Sequence, residues 1–138
     1  MKKFLFGGAD IKSAAANMGL FVLRVYTGLS LAIAHGWGKM PPSEKFVDGV
    51  AKMGFPMPDV FAWAAGLSEF ACAILLALGL ATRPSAFFIA TTMGVAGFVR
   101  HADDPFGTAE KAFLFMAIAI AFVLIGGGRY ALDRRFVK

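Results

Sequence analysis

Four apolar runs, at about 18–38, 59–80, 84–100 and 109–127, are separated by short polar segments along the chain. A helix rising ~1.5 Å per residue needs roughly 20 residues to cross a ~30 Å hydrocarbon core. The pattern therefore predicts an all-α fold, an integral membrane four-helix bundle built as a single domain from residues 1–138. Asn17 precedes the first run and is the expected N-cap. Pro41, Pro42, Pro56 and Pro58 bracket the one substantial loop. Within that loop Phe46, Val47, Val50 and Met53 recur at helical spacing, which predicts a short amphipathic helix lying on the membrane surface. The second run stops at Gly79-Leu80-Ala81-Thr82-Arg83-Pro84, a tight turn with Pro at the start of the next helix. Ala90 and Gly94 at small-xxx-small spacing, with Gly97 following, predict close packing of the third span.

Composition excludes an ordinary soluble domain. The chain is 58% hydrophobic and 17% charged, against about 45–50% and about 25% for soluble proteins. Four spans also leave no room for a soluble catalytic module. The net charge of +5 does not point to nucleic acid, because Lys and Arg sit between the apolar runs, as they do beside membrane spans. Lys2, Lys3, Lys12, Arg83, Arg129, Arg134, Arg135 and Lys138 make eight on one side, and Lys39, Lys45, Lys52, Arg100 and Lys111 make five on the other. That bias places both termini in the cytoplasm. The basic start runs into an apolar stretch too short and Gly-rich for a signal h-region, so no cleaved signal is expected. A lone cysteine, Cys72, excludes an intrachain disulfide, a Cys-x-x-Cys pair or an iron–sulfur centre built by this chain alone. Three residues from Glu69, it reads as a packing residue.

Two charges inside the apolar runs need an explanation, since each costs at least ~2.5 kcal/mol at the bilayer centre. Arg24 lies roughly 10 Å from the cytoplasmic end of its span and Glu69 roughly 15 Å from the opposite face. In a ~30 Å core these levels nearly coincide, so an Arg24–Glu69 ion pair between the first two helices is expected. Such a pair either fixes helix order or belongs to a site. His35, eleven residues after Arg24, falls about 20° past three full turns, on the same stripe. His101 and Glu110 flank the third loop at the same outer level. No two of these residues have a recognised metal-ligand spacing, so no metal is expected. A quinone or other flat apolar ligand suits a His beside a carboxylate under the rim aromatics Trp37, Trp63, Phe98 and Phe106, which also read as membrane anchors. Lys39 and Lys111 read as snorkelling cations or as partners of loop acids. Ser68 and Thr82 are expected to bond nearby backbone carbonyls.

These residues carry a family likeness. The order Arg24, then His35-Gly36-x-x-Lys39, Phe46, Met53-Gly54-Phe55-Pro56, Glu69, Leu78-Gly79-Leu80-x-Thr82-Arg83, His101, Glu110 and Gly126-x-Gly128-Arg129-Tyr130-x-Leu132-Asp133 resembles the DoxX family of small bacterial membrane proteins. The resemblance implies a four-helix inner-membrane protein. It also implies kinship with the small subunit of a thiosulfate:quinone oxidoreductase and with membrane partners of thiol-oxidant and quinone detoxification proteins.

Three functions are compatible with this pattern. In a quinone-linked redox subunit working with other subunits or as a homo-oligomer, His35, Glu69 and Glu110 exchange protons while Arg24, His35, Lys39 and His101 hold the ligand. The chain has no cofactor motif of its own, so a partner supplies electrons. The alternatives are a non-catalytic scaffold or accessory subunit of a larger complex, and a small-solute transporter, for which four short helices enclose little volume.

Overall fold

A computed structural model describes residues 7–136, so Lys2, Lys3 and Lys138 of the charge count and most of the N-terminal stretch lie outside the described residues. The regular structure is helical, with no strand among the described residues. Helix α1 (Ala14–Leu31) runs on through a π turn (Ala32–Gly36) and a 3-10 turn (Trp37–Lys39). Helix α2 (Glu44–Lys52) fills the first loop. Helix α3 (Pro58–Leu67) continues through a π turn (Ser68–Cys72) into α4 (Ala73–Leu78). Helix α5 (Thr82–Val95) ends in a third π turn (Ala96–Arg100), and α6 (Phe106–Ile125) is followed by a 3-10 turn (Leu132–Arg135).

Three of these rods, Ala14–Lys39, Pro58–Leu78 and Phe106–Ile125, are long and apolar enough to cross a membrane. The rod Thr82–Arg100 is more polar, with an arginine near each end and Thr91 and Thr92 within it. Large apolar side chains point outward around the rods, among them Tyr26, Ile33, Phe87, Leu114 and Leu124. An apolar surface of that extent is unstable in water and suits acyl chains. The core they surround is small-grained: Leu31, Ala32, Ala73, Leu76, Ala86, Ile89, Met93, Ala119 and Phe122.

Local sequence accounts for most boundaries. Ser13, not Asn17, caps α1, accepting from Ala16 N at 3.2 Å. Asn17 is instead buried, donating to the Ile11 and Ser13 carbonyls and accepting from Arg129 N. It thereby ties the start of α1 to the segment after α6. Ser43 caps α2, and Val50 is buried beneath that helix while Phe46, Val47 and Met53 are half-buried, as its amphipathic spacing predicts. Gly79, at φ +70°, ends α4 in the left-handed conformation that glycine adopts most readily.

The third apolar run packs closely on the fourth, as expected, and the tight point is Gly97 rather than Gly94. An added Cβ at Gly94 would make only ordinary contact with Met116, whereas one at Gly97 would overlap the Phe113 ring. The tightest approaches are on the first rod: a Cβ on Gly28 would overlap the Ala73 carbonyl oxygen, and one on Gly36 would overlap that of Glu69. These two glycines let the first rod lie directly on the backbone of the second. Such contact replaces the missing hydrophobic drive between helices in lipid.

Candidate functional site

The two charges expected to pair with each other point to opposite ends of the molecule. Arg24 donates to Leu76 O (3.1 Å), Ala77 O (2.7 Å) and Tyr130 O (3.3 Å). Glu69 is bound by Lys39, whose Nζ lies 2.7 Å from Oε1 and 2.6 Å from Oε2. The expected Arg24–Glu69 ion pair is therefore not formed. Every Cα–Cβ bond in a helix leans toward that helix's own N-terminus. The axial register of the two antiparallel rods separates them further: Gly28 lies against Ala73 and Ala77 and Gly36 against Glu69, so Arg24 stands level with the end of α4, roughly three turns along the rod from Glu69, and the lean of each side chain widens that gap. The snorkelling and loop-acid readings of Lys39 yield to this ion pair for the same reason: its ammonium reaches inward to a carboxylate that leans toward it.

The Arg24 end is a structural knot. Its guanidinium donates to the last carbonyls of α4, of which Leu76 O also accepts from Gly79 N at 3.0 Å, and a cation there complements the helix dipole. Gly79 makes room for it, since a Cβ at that position would meet Nη1. Asp133 accepts from Ala81 N (2.7 Å) and Thr82 N (2.8 Å), so it caps α5, while its own N–H bonds Gly79 O. The motif Gly128-Arg129-Tyr130-Ala131-Leu132-Asp133 thus clamps the α4–α5 turn. The sequence pattern assigns Arg24 to ligand binding; its hydrogen bonds go to backbone instead.

The Lys39 end is different. A cavity of about 760 Å³ lies between α2, the Pro58–Leu78 rod and the Thr82–Arg100 rod. Its walls are mostly apolar, with Phe46, Phe61 and Phe88 offering ring faces or edges. Its polar end is formed by Lys39, Ser68, Glu69, Arg100 and His101, with Lys45 contributed by α2. Lys39 also lies over the Phe46 ring at 5.3 Å, and Glu69 is only 4% exposed against 31% for Lys39. The Ser68 hydroxyl is buried and has no hydrogen-bond partner, contrary to the expected bond to a backbone carbonyl. The Thr82 hydroxyl is also unpartnered, and it is Thr91 that bonds back, to Phe87 O at 3.0 Å. At the mouth, His101 Nδ1 lies 2.6 Å from Asp104 Oδ2.

Of the residues singled out in the sequence, the structure brings Lys39, Glu69 and His101 to this cavity. His35 does not line it; its ring packs edge-to-face on Phe115 at 5.9 Å. The π turn at Ala32–Gly36 ends the regular α-helical phase that would have kept His35 in line with Arg24. Glu110 is exposed on α6. Ser68, Lys45 and Arg100 also line the cavity and are not among the candidates drawn from the sequence. The signal that could have found Arg100 is its position beside His101 at the end of an apolar run. Among the described residues, no group of three or more His, Cys, Asp or Glu is placed to hold a metal ion.

The apolar exterior, the three spanning-length helices and a cavity with one polar end define a helical membrane protein with a ligand-sized site. The DoxX family profile matches residues 19–102, and the chain belongs to that family. It is 36% identical over 131 residues to the inner membrane protein YphA of Escherichia coli, a match covering 88% of this chain and 93% of that one. It is 37% identical over 81 residues to an uncharacterized protein of Haemophilus influenzae (54% and 60% of the two chains). It is 30% identical over 118 residues to the Bacillus subtilis protein named "Putative oxidoreductase CatD" (85% and 86%). No solved structure matches the chain significantly.

Proposed function

We propose that this protein is a quinone-linked redox subunit of the inner membrane, a four-helix bundle with both termini in the cytoplasm, and that the Lys39–Glu69 cavity is its quinone site. The observation that carries the reading is a cavity of about 760 Å³ whose apolar, aromatic walls end in a buried ion pair and an unpartnered hydroxyl. That volume lies within the roughly 300–1,000 Å³ of small-molecule sites. A flat ring bearing carbonyl oxygens at its edge fits this donor set. The name of the Bacillus subtilis relative and the inner-membrane name of the Escherichia coli relative are consistent with it.

A bound quinone takes two electrons from a reduced thiol pair or flavin on a partner subunit, and two protons, to become the quinol. The chain's own part is positional and protonic. Phe46, Phe61 and Phe88 hold the ring and exclude water. Ser68 Oγ donates to one ring oxygen. Lys39 carries a proton at Nζ beside that oxygen's place, and Glu69 orients the ammonium. His101, bridged to Asp104 at the mouth, connects the cavity to bulk water. By the charge count this mouth faces the outer side of the membrane.

Equilibrium titration of the purified protein in nanodiscs with a short-chain quinone tests the reading. Saturable binding is expected, weakened at least about tenfold by Lys39→Met and by Phe88→Trp, which fills the cavity. Absence of saturable binding sinks the proposal, as does binding that both variants leave untouched.

The accessory-subunit reading draws on the Arg24 network, whose hydrogen bonds are all spent on the fold. It accounts for that charge and leaves the cavity unexplained.

A further inference from the structure

The cations around the cavity outnumber its carboxylates. Lys39, Lys45 and Arg100 line it, together with the His101 ring, against Glu69 alone. Lys39 and Glu69 neutralise each other, and the His101 ring is held by Asp104. That leaves Lys45 on α2 and Arg100 at the end of the third π turn, which line the cavity from two different elements. Neither makes a hydrogen bond or ion pair among the described residues. The buried Ser68 hydroxyl, also unpartnered, lies in the same cavity wall. An apolar slot that ends in uncompensated positive charge is complementary to one kind of small molecule, an apolar body with an anionic head.

We propose that the cavity selects an acidic amphiphile, and that Lys45 and Arg100 are the residues that select it. The inference rests on the reading that this cavity is the ligand site, and it adds the sign of the ligand's charge. The apolar body lies along Phe61 and Phe88, where both lipid-facing rods contribute to the wall. The head sits between Arg100 and Lys45, where the guanidinium fork can bind two oxygens of a carboxylate or of an ionised hydroxyquinone. Two sources share this chemistry: a quinone with an ionised ring hydroxyl, and an acyl chain with a terminal carboxylate.

The experiment compares three probes on the intact protein in nanodiscs of zwitterionic lipid: a neutral alkyl-naphthoquinone, its 2-hydroxy derivative ionised at pH 8, and a long-chain fatty acid. The expected result is that the hydroxyquinone binds about tenfold more tightly than its neutral parent, and that Arg100→Gln and Lys45→Gln each bring the ratio of the two affinities close to one. Raising salt from low to molar concentration narrows the preference in the same way. Lys111→Gln, outside the cavity, preserves it. Equal affinity for the two quinones, or a preference indifferent to Arg100→Gln and Lys45→Gln, overturns this inference while the quinone site stands. Binding of the fatty acid with no binding of either quinone overturns the redox reading and upholds the charge selection. No binding of any probe overturns both.

Discussion

Lys39 and Glu69, thirty residues apart, form a bidentate ion pair in which Nζ lies 2.7 and 2.6 Å from the two carboxylate oxygens. The pair joins the end of the first rod to the π turn of the second, beside Gly36, whose missing side chain allows the two backbones to touch. It is the only ion pair between the two rods among the described residues, and its two halves are unequally buried.

That inequality sets the first prediction. Lys39→Met strands a nearly buried carboxylate and should cost about 3 kcal/mol of stability, near the lower end of the range for a broken buried pair. Glu69→Gln leaves an ammonium that can turn to water and should cost only about 1 kcal/mol. Thermal unfolding in detergent, read by circular dichroism, should rank the two in that order; the reverse order would mean that Glu69 is hydrated through the cavity.

Arg24 and Glu69 should be energetically independent. Arg24→Gln loses charge-assisted bonds to three carbonyls and should cost about 3 kcal/mol. Combined with Glu69→Gln, the losses should add to within about 0.5 kcal/mol. A coupling well beyond that would show an interaction between the two that the observed geometry does not contain.

Gly36 and Gly38, two residues apart, should respond in opposite ways to alanine. Gly36→Ala drives a Cβ into the Glu69 backbone and should cost about 1–3 kcal/mol. Gly38 faces open space, and Gly38→Ala should stay within about 0.5 kcal/mol. Melting temperatures of the two variants, measured side by side, decide it.

Asp133→Ala removes the acceptor of two N–H groups at the start of α5 and should destabilise by about 1–2 kcal/mol, with Asp133→Asn losing less because one acceptor oxygen remains. Faster amide exchange at Ala81 and Thr82 in the alanine variant is the local readout.

His35→Ala should leave quinone affinity within about twofold of the wild type, because the ring packs on Phe115 outside the cavity. A tenfold loss on this substitution would relocate the site to the His35 side of the bundle.

The amphipathic helix of the first loop was legible because its pattern is local: Phe46, Val47, Val50 and Met53 repeat at the helical period, and they turn inward as that period requires. The turn after α4 was legible for the same reason, through Gly79 and Pro84. Half of the cavity's polar end was legible as well, since Lys39, Glu69 and His101 stand out as ionisable groups at the ends or in the interior of apolar runs. Their grouping was not. The Arg24–Glu69 pairing rested on depths counted from the ends of the apolar runs, and the register of the two rods, with Gly36 rather than Arg24 level with Glu69, differs from that count. His35 was placed by ideal α-helical phase, which a π turn breaks. Asn17 looked like a cap from its position before the run, but the Ser13 hydroxyl reaches the free N–H first and leaves Asn17 to tie α1 to Arg129.

Apolar run length, charge placement and the spacing of turn residues by themselves determined that this chain enters a membrane as helices, because burial of backbone polar groups in hydrocarbon leaves a single chain segment few other choices. Which charge meets which was decided only by the tertiary structure. Antiparallel packing reverses the lean of side chains between neighbouring rods, two glycines set how closely those rods approach, and three π turns shift the helical phase of the residues beyond them. The register that Gly28 and Gly36 set between the first two rods sends Arg24 to the backbone at the end of α4 and brings Lys39 onto Glu69 at the other end.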